Sequence, residues 1–261
     1  MNTAIVPVDF SEISLNAARF AAQLFNGHEQ IEMLLYHCYE KDEEGENRLE
    51  SLLKLKEELA TITNATISVL AEQGDDFVEE LEKLSRHRQT DIIVMGITGK
   101  SAIAQVFMGS NAIKVAETKY CPVIIVPQDC EYRDVKNVLF TTDLVNVYKA
   151  TPTLPIKKVL NIFQPQLHIV NVNEEHYVAL TEEYEAEKTR LMEMFAEYKP
   201  EFYFLRLFDI DEAINQFAED KNIDLIISVH KEHSRFHRIF KSSHTKKLAY
   251  QSRVPLLVVH E

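Results

Sequence analysis

Short apolar runs alternate with amphipathic segments along the first half of the chain. The runs at 4–8, 31–38, 66–70, 91–95 and 123–126 are predominantly apolar, which is typical of strands buried on both faces of a parallel sheet. Between them, apolar residues recur at steps of three and four, and this spacing predicts helices. The alternation of strand and helix therefore predicts an α/β domain whose parallel sheet is covered by helices on both faces.

Individual polar residues indicate where the helices start and end. Ser11 follows the first strand and is predicted to cap a helix that ends near Phe25. Asp75 or Asp76 is predicted to start the third helix. A fourth helix is expected to begin near Ser110 and to precede the fifth strand.

The second half of the chain repeats this order. Its predicted elements are strands at 138–142, 167–172, 202–208, 224–227 and 254–259, with helices at about 178–198 and 210–220. The halves align without a gap over their last third, where Asp91 pairs with Asp224 and Pro122 with Pro255. The sequence therefore predicts a tandem repeat of two domains, 1–128 and 135–261, joined by a short linker.

Composition narrows the class of protein. A chain of 261 residues with a mean hydropathy of -0.19 is typical of a water-soluble protein, and no apolar run is long enough to span a membrane. The first residues lack the basic region and apolar core of a signal peptide, and the three cysteines have no metal-type spacing. We therefore expect a cytoplasmic protein. A formal net charge of -13 argues against nucleic-acid binding.

The segment 91–110 contains three of the six glycines of the chain, namely Gly96, Gly99 and Gly109. Glycine allows the backbone to approach a ligand closely or to adopt a positive φ. Gly109 and Ser110 would start a helix, where free N–H groups and the helix dipole favour an anion. We interpret the segment as a phosphate-binding loop, although its glycines could also serve only to shape a turn.

Two familiar nucleotide-binding motifs do not fit this loop. The letters GITGKS resemble the end of a P-loop, but that motif needs four residues between its first glycine and the final Gly-Lys-Ser, and only two are present. The dinucleotide-binding pattern G-x-G-x-x-G is also absent from the sequence. Lys100 is accordingly predicted to face solvent or to shield phosphate, not to act as a P-loop lysine.

The spacing G-x2-G-x9-G-S from Gly96 to Ser110 resembles the ATP-binding signature of the universal stress protein family. The opening VPVDFSE, the segment LLYHCYE and the ending CPVIIVP of the first half are also similar to that family. The likeness extends over nearly the whole chain as two tandem domains. It implies a stress-response protein.

This resemblance implies two Rossmann-like domains of the adenine nucleotide alpha hydrolase type, each a five-stranded parallel sheet of order 3-2-1-4-5. It also implies that the first domain binds ATP, or ADP or AMP, with or without Mg²⁺. The residues implied in binding are Pro7, Val8, Asp9, Cys38, Met95, Gly96, Thr98, Gly99, Gly109, Ser110 and Asn111. Pro7, Val8 and Asp9 would border the adenine and ribose, and Cys38 would border the adenine. Met95, Gly96, Thr98 and Gly99 would follow the ribose and phosphates, and Gly109, Ser110 and Asn111 would hold the phosphates.

The second copy departs from this signature. The alignment places Val229, Glu232 and Ser242 at the positions of the three glycines, and only Ser243 matches Ser110. A side chain at each point of close approach, one of them anionic, should obstruct a triphosphate. The second domain is therefore predicted not to bind ATP in the same way. Because this copy lacks the glycines, the fold itself is expected not to need them.

Two other features have more than one interpretation. Asp9 is either a ligand contact or a cap for the first helix. The segment 230–244 contains His230, His233, His237 and His244 among basic residues, so it could hold a metal or an anion, but an exposed basic loop is the simpler interpretation. We predict no metal site and no catalytic set.

Three functions are compatible with these observations. A nucleotide-binding regulatory protein is favoured, because ATP hydrolysis needs a positioned base and usually a bound metal, and the loop offers neither. A slow ATP hydrolase or phosphotransferase and a ligand-free interaction scaffold are the alternatives. The resemblance further implies an intrachain pseudo-dimer in which the two domains pair through their fifth strands, while a homodimer of the whole chain is left open.

Overall fold

The computed structural model describes residues 1–40, 45–97, 111–172, 181–205, 210–230 and 253–261. The chain divides into two compact units, Met1–Tyr132 and Arg133–Glu261. No helix in these described ranges is both long enough and apolar enough to cross a membrane.

The first unit is a parallel five-stranded sheet with helices between successive strands. Its elements are β1 (Thr3–Pro7), α1 (Glu12–Leu24), β2 (Glu32–Tyr39), α2 (Gly45–Leu59), β3 (Thr66–Gln73), α3 (Phe77–Arg88), β4 (Ile92–Ile97), α4 (Asn111–Glu117) and β5 (Val123–Pro127). The strand order is β3-β2-β1-β4-β5, and every pair is parallel. The order 3-2-1-4-5 is thus confirmed.

The central strands form the core of this unit. Ala4, Ile5 and Val6 of β1 are completely buried, and all five residues of β5 are buried as well. Apolar side chains that alternate between the two faces of a strand can all be buried only when both faces are covered. The continuous apolar runs in the sequence therefore identified these strands correctly.

Side-chain caps fix the starts of two helices where the sequence predicted them. Ser11 caps α1, its hydroxyl oxygen accepting a hydrogen bond from the Ser14 N–H at 3.2 Å. Asp76 caps α3 by accepting from the N–H groups of Val78 and Glu79. Such caps satisfy N–H groups that have no partner within the first helical turn.

The second unit has the same sheet. Its elements are β6 (Asn137–Thr142), α5 (Val147–Ala150), α6 (Thr153–Phe163), β7 (Gln166–Val172), α7 (Glu182–Met194), a 3-10 turn (Ala196–Tyr198), β8 (Glu201–Leu205), α8 (Ile210–Asp220), β9 (Leu225–His230) and β10 (Leu256–His260). The order is β8-β7-β6-β9-β10, again 3-2-1-4-5 within the unit, with parallel pairs throughout.

Equivalent aspartates show how closely the two units correspond. In the first unit, Asp91 Oδ2 accepts hydrogen bonds from the backbone N–H groups of Asn2 and Thr3 at the start of β1. Asp224 Oδ2 accepts equivalent bonds from Lys136 and Asn137 at the start of β6, both at 2.9 Å. The alignment of Asp91 with Asp224 is therefore reflected in a shared structural role.

The first helix differs between the units. In the first unit α1 is continuous, whereas in the second unit Pro152 separates the single turn of α5 from α6. Proline has no N–H to donate and its ring clashes with the preceding helical turn, so a helix cannot run through it unbroken. The elements predicted from the sequence include no helix between the strands at 138–142 and 167–172, so α5 and α6 were missed.

The acidic helix of the second unit is shorter than predicted. Sequence periodicity suggested a helix at about 178–198, but α7 begins at Glu182 after its cap Thr181 and ends at Met194. A separate 3-10 turn then spans Ala196–Tyr198. Residues 173–180 lie outside the described ranges.

A buried histidine in the second unit is expected to make its stability depend on pH. His168 of β7 is 5% exposed, and neither of its ring nitrogens has a hydrogen-bond partner within the described ranges. Burial lowers the pKa of His168 and the charge of Lys221 adds to this, although Glu201, whose Oε2 lies 3.5 Å from Nδ1, opposes the shift. The rings of Tyr203 and Phe217 cover the imidazole.

We expect the free energy of unfolding to fall as the pH drops below about 6.5, the pKa of an unfolded histidine. Below that pH, His168 is protonated in the unfolded chain but stays neutral in the folded one. The free energy of unfolding therefore falls by at most about 1.4 kcal/mol per pH unit until the lower folded pKa is reached. The first unit has Leu34 at the equivalent position. His168→Leu should therefore flatten the stability profile between pH 7 and 5 in urea denaturation, and an unchanged profile would contradict this account.

Candidate functional site

The candidate site lies where β1 and β4 end side by side. These strands are hydrogen-bonded neighbours, and the chain leaves them toward opposite sides of the sheet, since β2 lies beyond β1 and β5 beyond β4. In open parallel sheets, ligands bind beyond the carboxyl ends of the strands at such a reversal of strand order. Asp9, which follows β1, therefore lies at the same edge of the sheet as the carboxyl end of β4. That the loop after β4 borders the same crevice stays a prediction, because residues 98–110 lie outside the described ranges.

Three of the predicted contacts project from one face of the sheet. Residues paired in neighbouring parallel strands point to the same side, and successive residues alternate. The pairing of Pro7 with Tyr36 places Pro7 on the face of Cys38, and the pairing of Ile5 with Ile93 places Met95 there as well. The site thus has a row of three neutral side chains across the ends of β1, β2 and β4.

Val8 and Gly96 occupy the opposite face. The Val8 N–H donates to Tyr36 O at 2.8 Å, and the Val8 carbonyl accepts from His37 Nδ1 at 2.6 Å. Because a carbonyl can only accept, Nδ1 of His37 carries the proton. These hydrogen bonds fix the end of β1. The side chain of Val8 therefore lies on the opposite face, and only its backbone borders the crevice.

Gly96 is required by the packing of α1. A Cβ atom added to Gly96 would lie 2.6 Å from Ile13 Cγ2 and 2.6 Å from the Ile13 carbonyl oxygen. Helix α1 can therefore approach β4 this closely only because residue 96 has no side chain. The expectation that the fold does not need these glycines is wrong for Gly96.

The second unit shows how the same position accommodates a side chain. Val229 takes the place of Gly96 in β9, and it is partly exposed. The helix after β6 is interrupted, with the single turn Val147–Ala150 separate from Thr153–Phe163, in contrast to the 13 continuous residues of α1. In the second unit, the absence of this glycine thus coincides with a change in the helix that packs closely on the glycine in the first unit.

Sequence reasoning missed the role of Phe10. This residue follows Asp9 with a φ of 63°, a left-handed conformation that is unfavourable for a bulky side chain. Its ring packs against buried His37 with centroids 5.1 Å apart, and Arg48 lies over it. Leu144, at the same place in the second unit, also has a positive φ of 54°. The sequence does contain a signal for this position, because a bulky apolar residue directly follows the aspartate in both copies.

Asp9 organises the loop before α1. Its Oδ1 accepts hydrogen bonds from the Ser11 N–H at 2.9 Å and the Ser11 hydroxyl at 2.6 Å, while the Asp9 N–H donates to Ser14 Oγ. In the second unit, Asp143 Oδ1 accepts from the Val145 N–H at 3.0 Å in the same way. The turn is therefore a property of the fold in both units, and Asp9 has a structural role whether or not it also contacts a ligand.

These hydrogen bonds keep the Asp9 carboxyl ionised. Partial removal of the carboxyl from water would raise its pKa, but hydrogen bonds from Ser11 and Ser14 outweigh that effect and hold the pKa below its ordinary value. Both donors from Ser11 engage Oδ1. Asp9 thus presents a negative charge at the edge of the crevice at neutral pH.

Cys38 is a neutral thiol at neutral pH. Burial raises its pKa, a hydrogen bond with Tyr36 counteracts this, and the nearby carboxylates of Glu80, Glu72 and Asp76 raise it further. The Cys38 Sγ lies 3.6 Å from the Gly74 carbonyl oxygen. The end of β2 therefore has an uncharged thiol with several carboxylates nearby.

The remaining predicted contacts are only partly described. Asn111 is exposed and is the first described residue of α4. Thr98, Gly99, Gly109 and Ser110 lie outside the described ranges, so their contribution stays a prediction. Of the predicted contacts, the structure describes Pro7, Val8, Asp9, Cys38, Met95, Gly96 and Asn111.

Comparison with known proteins identifies the family. The model of the universal stress protein family matches residues 1–127 and 163–260. The chain belongs to this family. A universal stress protein from Methanocaldococcus jannaschii is 28% identical over 143 residues, which are 47% of this chain and 79% of that protein. A universal stress protein from Thermus aquaticus is 28% identical over 135 residues, covering 48% of this chain and 97% of that one.

Solved structures match the tandem arrangement over its full length. A universal stress protein from Archaeoglobus fulgidus superposes with a TM-score of 0.73 at 18% identity, covering 100% of this chain and 96% of that one. A protein of unknown function from Pseudomonas aeruginosa gives a TM-score of 0.65 at 13% identity, covering 100% and 92%. At these identities the likeness establishes a shared fold of two universal stress protein domains.

The second universal stress protein domain has a different set of side chains at its crevice. By register, Thr141 and Ser228 take the places of Pro7 and Met95. Glu232, Ser242 and Ser243 lie outside the described ranges, as do His233, His237 and His244. His230 is described, and it ends β9.

Proposed function

We propose that the first unit binds an adenine nucleotide in the crevice beyond β1 and β4, and that its occupancy regulates the protein. ATP, ADP and AMP share the base and ribose that this crevice would hold. The observation that carries the proposal is the row of Pro7, Cys38 and Met95 on one face at the reversal of strand order. Membership of the universal stress protein family supports it.

The neutral lining suits a purine base. Pro7 and Met95 are buried apolar residues, and the raised pKa of Cys38 keeps its thiol uncharged. A flat aromatic base gains free energy when it leaves water for such a surface, and a polarisable thioether packs well against a ring. The base would therefore lie across the ends of β1, β2 and β4.

The acidic side chains beyond Cys38 would orient the nucleotide. Glu72, Asp76 and Glu80 raise the pKa of the Cys38 thiol, so their negative charge reaches the base end of the site. Phosphates are repelled from such a place. They would lie instead at the Gly109–Ser110 end, where the family signature implies phosphate contacts and where Mg²⁺ would accompany a triphosphate.

Asp9 would accept hydrogen bonds from the ribose. Its carboxyl is ionised and already anchored through Oδ1, so the position of the charge is fixed before a ligand arrives. Ribose hydroxyls are donors that suit a fixed carboxylate. The structural and the ligand-binding roles of Asp9 are therefore compatible.

Paired variants separate these two roles. Asp9→Ala and Asp143→Ala each remove the hydrogen bond to the N–H two residues on, so each should lower the free energy of unfolding by about 1 kcal/mol. Only Asp9→Ala should also weaken ATP binding, by roughly tenfold, the equivalent of one hydrogen bond of about 1.4 kcal/mol. Calorimetric titration and urea denaturation of both variants test this. An equal effect of both variants on ATP affinity would show that Asp9 has no special contact.

The experiment that tests the regulatory role is a single-turnover ATP assay. Hydrolysis needs a base or a water-orienting group next to the γ-phosphate. Asp9 is engaged by Ser11 and would lie at the ribose end. We expect wild-type protein to bind ATP without measurable turnover. Robust turnover would make the protein an ATP hydrolase, and the absence of both binding and an ATP-induced melting shift would favour a ligand-free scaffold.

The second unit is proposed to have lost ATP binding of this kind. Val229 brings a side chain to the position of Gly96, and Thr141 and Ser228 replace two apolar residues of the base-binding row. We further propose, by resemblance to the family alone, that the two units form an intrachain pseudo-dimer. Homodimerisation of the whole chain is measurable by light scattering.

A further inference from the structure

The crevice of the second unit is lined by polar side chains at the positions that are apolar in the first. The strand registers equate four positions on the same face at the carboxyl ends of the strands. In the first unit these are Pro7, Met95, Ile97 and Pro127, and in the second they are Thr141, Ser228, His230 and His260. Each of the four residues of the second unit has a side-chain oxygen or nitrogen atom, which the four residues of the first unit lack.

Two of the replacements are imidazoles in direct contact. His230 ends β9, His260 ends β10, and the two are paired in the strand register. Their ring centroids lie 5.2 Å apart with an interplanar angle of 72°. Two imidazoles that ligate one zinc ion at about 2.0–2.1 Å and a tetrahedral angle have centroids roughly 5 Å apart, so the pair needs little movement to share an ion.

The hydroxyl of Ser228 adds an oxygen on the same face. Ser228 lies two residues before His230 in β9, and both residues are largely buried. Thr141 is its partner in β6, although its hydroxyl already donates to the Ile227 carbonyl at 3.2 Å. The imidazoles would supply the strong ligands, and Ser228 or water the weaker ones.

We propose that His230 and His260 bind a divalent transition-metal ion of the zinc and nickel class. Imidazole nitrogen suits these ions, whereas Mg²⁺ and Ca²⁺ prefer oxygen. Within the described ranges no three side chains of His, Cys, Asp or Glu are grouped closely enough to ligate a metal together. The site therefore has two strong ligands, and its affinity is micromolar, weaker than that of a structural zinc site with four.

The proposal differs from the expectation based on the histidine-rich segment. That expectation considered only histidines close together in sequence, from His230 to His244. The structure pairs His230 with His260, which is 30 positions away, because β9 and β10 are neighbours. The metal site is independent of the nucleotide proposed for the first unit.

Calorimetric titration of the full chain with Zn²⁺ and with Ni²⁺ tests the proposal. The variants are His230→Ile, which restores the residue of the first unit, and His260→Gln, alone and together. The control is His87→Gln, which changes an exposed histidine at the end of α3. Circular dichroism confirms that each variant is folded.

Wild type and the control should bind one ion with micromolar affinity. Each single variant should weaken that binding at least tenfold, and the double variant should lose it, with folding unchanged. Retention of the same binding in the double variant would overturn the proposal, because the ion would then be held by other residues. The absence of any micromolar binding to wild type would overturn it as well.

Discussion

Gly96→Ala is expected to destabilise the first unit strongly. The new Cβ would lie 2.6 Å from the carbonyl oxygen of Ile13, and a backbone atom of α1 cannot move away without shifting the helix. Overpacking of this kind costs about 1–3 kcal/mol, and we expect the upper end because the clash involves backbone. Urea denaturation measures the loss of unfolding free energy. Relative to wild type, amide hydrogen exchange in the variant should become faster in α1 and β4 and stay unchanged in the second unit.

Gly74→Ala is the matched control. A Cβ there would come 2.4 Å from Glu80 Cγ, which is nominally closer, but Glu80 is a flexible side chain that is partly exposed and can rotate away. We expect a loss below about 1 kcal/mol. Equal losses in the two variants, or no loss in Gly96→Ala, would contradict the role assigned to Gly96.

Most of the fold could be predicted from the sequence because the strands are buried on both faces. Runs such as Ala4–Val6 and Val123–Val126 are apolar without interruption. Short runs of this kind are typical of parallel strands that are covered on both faces. The caps at Ser11 and Asp76 were predictable because they depend on residues two or three positions away. These local signals also made the repeat visible, so the strand order was confirmed in both units.

Features that depend on distant residues could not be predicted. The need for glycine at position 96 arises from Ile13, which is 83 positions earlier in the chain. The pairing of His230 with His260 requires the register of two strands. Hydrophobic periodicity indicates the secondary structure of a segment, but it does not indicate which residues elsewhere in the chain pack against it.

The candidate site shows the same division. The sequence predicted that Asp9 and the glycine loop would meet, because both follow carboxyl ends of strands. The adjacency of β1 and β4, on which this depends, is confirmed, whereas the meeting itself stays a prediction because residues 98–110 lie outside the described ranges. It did not predict that Pro7, Cys38 and Met95 would share one face while Gly96 lies on the other. Strand register determines which residues of neighbouring strands share a face, and in strands buried on both faces the continuous apolar pattern does not reveal that register.

Gly109→Val is expected to abolish ATP binding by the first unit. The family signature implies that the backbone at Gly109 and Ser110 holds the phosphates, and a branched side chain would occupy the space that the phosphates need. We expect a loss of at least about 100-fold, more than 2.7 kcal/mol of binding free energy. Calorimetric titration with ATP and Mg²⁺ measures it, and circular dichroism verifies folding.

Ser242→Val is the control for that variant. Ser242 aligns with Gly109 in the second unit, where no ATP binding of this kind is proposed. The same branched side chain is therefore introduced at the equivalent position without an expected effect on ATP affinity. If Ser242→Val weakened ATP binding as much as Gly109→Val, the assignment of the nucleotide to the first unit would be wrong.

The number of ATP molecules bound by each wild-type chain tests the central claim most directly. The first unit keeps the glycines and the neutral row proposed to bind the base, whereas the second has Val229, Thr141 and Ser228 at corresponding positions. Calorimetric titration of nucleotide-free protein should give one site per chain. Two equivalent sites per chain, or none, would contradict the account.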